Sequence, residues 1–93
     1  MTREEAETAR RVLVTELEVD RLITQHLRRT VRACDEGIDD AETEEQRDYL
    51  ASIVMKIREA GVLLNNSIDK KSARLVQLSQ VLEGPNARTT ILN

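Results

Sequence analysis

Few side chains in this sequence carry reactive chemistry, and their spacing keeps them apart. His26 is the only histidine and Cys34 the only cysteine. Zinc takes four N, O or S donors, so this pair makes no zinc site, and no metal is expected. Cys34 falls on an apolar helical position, where a cysteine behaves as a small hydrophobe, and no local histidine activates it. One cysteine allows no internal disulfide, which fits a reducing, cytoplasmic compartment. Glu16 and Asp20 lie four residues apart inside an apolar stripe. A paired-carboxylate metal or acid–base site would want further carboxylates or a Glu-x-x-His element, and no such element is present. The favoured reading is a buried polar layer that fixes register, with Glu16 and Asp20 paired to basic residues such as Lys56 or Arg58. There is no Gly-rich phosphate loop, no Ser/His/Asp grouping and no cysteine pair. The chain is expected not to be an enzyme and to need no cofactor.

Arginine clusters on the outer face of the first helix. Arg3, Arg10, Arg21, Arg28 and Arg32 fall within a narrow arc of one helix, with Arg11 and Arg29 beside them. No acid occurs between Arg21 and Arg32. The plain reading is a solvated face balanced by Glu7, Glu18 and Glu36. The sharper reading is a docking face of Arg21, Arg28, Arg29 and Arg32 for phosphate or an acidic partner. The acidic stretch from Asp35 to Asp48 is a candidate complement on a second copy. A calcium loop is not expected there, because the acids lack the alternating Asp spacing around a central glycine. Nucleic acid is possible but not favoured. The net charge is −3 and the only aromatic ring is Tyr49, so both a basic coat and stacking platforms are missing.

The elements that carry these groups are helices. The chain has 93 residues, 33% of them charged, with three glycines and one proline. That is too little turn chemistry for an all-β chain. Thr2 with Glu5 predicts a capping box. Ala6, Arg10, Leu13, Leu17, Asp20, Thr24, Leu27, Val31, Cys34 and Ile38 then repeat in steps of four and three, a heptad seam. Gly37 predicts the stop. Helix one is therefore expected over about 3–36, an acidic bend over 37–42, and helix two over about 43–83, capped by Thr43 with Gln46. Its seam runs through Leu50, Val54, Ile57, Gly61, Leu64, Ile68, Lys71, Leu75, Leu78 and Leu82. A helix of this length spans roughly 60 Å. A break at Asn65–Asn66, giving three helices, is the lesser alternative. Gly84–Pro85 predicts the end, leaving 85–93 as a flexible tail after a hairpin of residues 1–84. The tail's other reading is a short docking strand.

The fold class is thus all-α: a long, coiled-coil-like antiparallel hairpin. Both helices also carry a second apolar line, through Val12, Val19, Leu22, His26 and Ala33 on one, and Ala51, Met55, Val62 and Ala73 on the other, with Leu63 and Val81 nearby. A lone hairpin leaves these in water. Dimerisation to a four-helix bundle covers them most simply, and a helical protein partner is the alternative. The expected interface combines Val12, Val19, Leu22, His26, Met55 and Val62 with the seam positions Gly61, Leu64, Ile68, Lys71, Leu75, Leu78 and Leu82. No apolar run approaches the ~18 residues of a membrane span, and the charged start lacks a signal peptide's apolar region.

His26-Leu27-Arg28-Arg29-Thr30 resembles the phosphoacceptor box of histidine kinases, which reads His, acid, Leu, Arg, Thr, Pro. Residues 45–53 and 63–69 resemble the opening and end of the second helix of the dimerisation and phosphotransfer hairpin in that family. The likeness covers about half the chain. Leu27, Arg28 and Val31 depart from the box, and no ATP-binding domain is present. The resemblance implies a dimeric hairpin with His26 as a phosphorelay histidine. Read from the residues themselves, the chain is a non-enzymatic protein–protein interaction module: an adaptor, chaperone, or assembly or regulatory subunit. Phosphotransfer through His26 and nucleic-acid binding through the arginine face are the alternatives.

Overall fold

The computed structural model describes the backbone of residues 1–92 and the side chains of residues 1–83. It is an all-α helical hairpin of two long helices, α1 (Arg3–Asp40) and α2 (Glu44–Leu92). The start of α1 follows from its cap. The Glu5 amide donates to Thr2 Oγ1 at 3.1 Å, and the Ala6 amide to the Thr2 carbonyl at 3.0 Å. This satisfies donors that the first helical turn leaves open. At α2 the Gln46 amide donates to Thr43 Oγ1 at 3.2 Å, while Gln46 Oε1 accepts the Glu42 amide at 3.0 Å.

Three boundaries differ from expectation. Gly37 does not end α1, which runs on to Asp40. None of the described glycines has positive φ, so Gly37 plays no left-handed capping role. Its missing side chain serves packing: a Cβ there would stand 3.1 Å from Leu50 Cδ1 on α2. The bend consequently shrinks to Ala41, Glu42 and Thr43. In keeping with the favoured reading, Asn65–Asn66 does not break α2. Nor does Gly84–Pro85 bound it, since a proline removes one backbone hydrogen bond without necessarily ending a helix. The side chains of the 85–93 segment, and with them its suggested docking role, lie outside the described residues.

The chain divides into two compact units. Unit 1 contains residues 1–19 and 67–93. Its core is Ala6, Leu78 and Leu82, with Ala9 and Leu13 packed against it, and Leu17 is also buried. Arg10 Nη1 donates to Glu83 Oε1 at 2.9 Å, and Lys71 Nζ lies 3.9 Å from Glu16 Oε2. Unit 2 contains residues 20–66 and the bend. Only Val54 and Asp20 are buried in it. Leu27, Val31, Cys34 and Ile38 on α1, and Leu50, Ile57, Gly61 and Leu64 on α2, are half-buried. Every α1 and α2 seam position is therefore turned at least partly away from solvent, which is what the four-three spacing demands.

Candidate functional site

The seam residues of the expected interface are turned at least partly away from solvent within the chain. Leu78 and Leu82 are buried, and Gly61, Leu64, Ile68, Lys71 and Leu75 are half-buried. The second apolar line behaves differently. In unit 1, Val12 and Val19 are exposed, as are Ala73 and Val81; in unit 2, Leu22, His26, Ala33, Ala51, Met55, Val62 and Leu63 are exposed. Met55 is 63% exposed and Val62 60%, well beyond half of each side chain. Val14, Ile23, Tyr49 and Val76 join this set. The sequence reading passed over them, though each lies outside its helix's seam.

The proposed polar layer divides. Asp20 is 8% exposed, but the Glu16 side chain is 48% exposed, so Glu16 is not buried. A glutamate's methylene stem lets its carboxylate reach water from the margin of an apolar stripe. Its ion-pair partner is Lys71, not Lys56 or Arg58. No described buried side-chain nitrogen or oxygen lacks a hydrogen-bond partner, so Asp20 adds no orphaned group.

Arg21, Arg28, Arg29 and Arg32 are all exposed. Arg28 takes part in a groove that lies wholly within unit 2. Thr24, Leu27, Arg28 and Val31 line it from α1, and Ile57, Arg58, Gly61 and Asn65 from α2, around about 240 Å³. Gly61 opens it: a Cβ there would meet nothing within 4 Å. Heptad spacing places that residue on the seam, but cannot show what faces it across the gap. The groove joins apolar walls from Leu27, Val31 and Ile57 to a guanidinium from each helix. Such a surface can seat an apolar side chain and pair with neighbouring carboxylates.

His26 is exposed and its carbonyl accepts the Thr30 hydroxyl at 2.9 Å. Cys34 is a half-buried free thiol. Among the described residues no group of three or more His, Cys, Asp or Glu is placed to hold a metal ion. No described helix is long and apolar enough to cross a membrane. No known protein family, curated protein or solved structure matches the chain at significant similarity.

Proposed function

We propose that this protein is a non-enzymatic helical interaction module that acts by docking to a second copy of itself or to another helical protein. The observation that carries this reading is the exposed apolar set. Leu22, Met55, Val62 and Leu63 remain in water although the seam positions of both helices are at least half-buried within the chain. Exposed apolar groups of this size, repeated along helices, mark surfaces that a partner covers. The arginine face supplies a charged border, and like-charge contacts there would reject wrong partners.

Sedimentation of the purified chain tests the reading. The expected result is a mass above that of the monomer, or a stoichiometric complex with a helical partner. Replacing Leu22, Met55 and Val62 by serine should abolish association while leaving helicity by circular dichroism intact. A wild-type chain that stays monomeric at its solubility limit and binds no helical partner would overturn it.

A further inference from the structure

The groove of unit 2 belongs to a longer face whose charge changes sign along its length. On α1 and into the bend, Arg21, Arg28 and Arg32 are followed by Asp35, Asp39 and Glu42, in heptad-type steps of seven, four, three, four and three. On α2 the same kind of line runs through Glu44, Asp48, Ala51, Met55, Arg58 and Val62, in steps of four, three, four, three and four. All these residues are exposed. Because Arg28 and Arg58 line one groove, the two lines border the same side of unit 2. The face is acidic at the bend and basic at the groove, with Ala51 and Met55 in the middle on α2 and Asp35 in the middle on α1.

The spacing is symmetric. Arg28 lies fourteen residues before Glu42, and Arg58 fourteen residues after Glu44. At 1.5 Å per residue the separation along α2 is about 20 Å. The midpoints fall at Asp35 on α1 and Ala51 on α2. A two-fold axis through that level would carry the acidic bend of one copy onto the arginine groove of the other, and the reverse. An interface with two-fold symmetry uses one patch twice and therefore needs such self-complementarity.

We infer that the groove bounded by Arg28 and Arg58 receives the acidic bend of a second copy of this chain, forming a reciprocal dimer in which Met55 and Val62 become covered. This deepens the interaction-module reading and rests on it. Three features single out a second copy as the occupant. The chain carries the complementary charge itself. The basic and acidic ends are fourteen residues apart on both lines, so one operation superposes both pairs. On α2 the apolar Ala51 and Met55 lie between them.

Paired charge reversals test it in the full chain. Arg28→Glu with Arg58→Glu gives a variant acidic at both ends of the face; Glu42→Arg with Glu44→Arg gives one basic at both ends. All four positions are exposed, and circular dichroism checks that each variant remains helical. Each variant alone should dimerise roughly 100-fold more weakly than the wild type, because like charges then face each other. An equimolar mixture should restore a dimer made of one copy of each. Wild-type association should also weaken as salt rises. A mixture that stays monomeric, or variants that dimerise like the wild type, overturns the inference. If those variants dimerise normally while the Leu22, Met55 and Val62 serine variant does not, the module reading stands and only this mode of pairing falls. A wild type that is monomeric at all concentrations but binds a different helical protein overturns the self-pairing alone.

Discussion

Unit 1 and unit 2 are built from the same two helices, yet they close their cores differently. In unit 1 small and large residues interlock: Ala6 is fully buried between helices whose other core members are Leu78 and Leu82. Two ion pairs, Arg10–Glu83 and Glu16–Lys71, join α1 to α2 there. In unit 2 the helices are tied by a three-residue bend and a close approach at Gly37. Away from the bend, Gly61 leaves a groove where a seam side chain would have filled the gap. The difference separates two tasks. One unit closes a small apolar core and the other keeps an open groove beside a concentration of charge, while both leave apolar side chains exposed.

The most forceful way to break this comparison is to remove core volume from each unit. Leu78→Ala should cost about 2–4 kcal/mol, since a buried leucine leaves a cavity. Leu64→Ala, at a half-buried seam position in unit 2, should cost distinctly less. Denaturant unfolding of both variants measures this, and equal losses would erase the distinction. Next in size is the cap of α2: Thr43→Ala should cost about 1 kcal/mol by losing the acceptor for the Gln46 amide. A drop of a few degrees in Tm is the expected reading. The glycines offer a smaller, signed contrast. Gly61→Ala should stabilise by about 0.5–1 kcal/mol, because helix propensity improves and the new methyl enters open space. Gly37→Ala should gain less, or lose, because Leu50 must give way. Identical shifts in the two would contradict the packing at the bend. The smallest effect belongs to Arg10→Ala. Its ion pair with the largely exposed Glu83 is worth less than about 1 kcal/mol and should fade in high salt.

Periodicity made most of the architecture readable. Leu13, Leu27 and Ile38 on α1, and Val54, Leu75 and Leu82 on α2, are turned inward because a 3.5-residue repeat allows only one shared seam. Two kinds of residue escaped that logic. Glu16 stands near the stripe by position, but a long side chain chooses its own depth, so spacing alone misplaced its carboxylate. Gly37 looked like a stop, and the structure gives it a packing role in place of that. Gly37 makes the contact, while Gly61 leaves the space. A glycine's effect depends on what stands opposite, which one helix's pattern does not encode. The groove escaped for the same reason: it needs Arg28 and Arg58 from different helices, and their register follows only once the bend is fixed at Ala41–Thr43.

The bend also sets an order of events. Gly37 and Leu50 are thirteen positions apart in the chain, whereas Arg10 and Glu83 are 73 apart. Closing the longer loop from an unfolded chain costs about 1.5 kcal/mol more in entropy. Pairing that begins at the bend and zips away from it avoids most of that cost, because each new turn is held near its partner by the last. The contacts among Ala6, Leu78 and Leu82 then form late, so mutations there should chiefly speed unfolding, while mutations at the bend should chiefly slow folding.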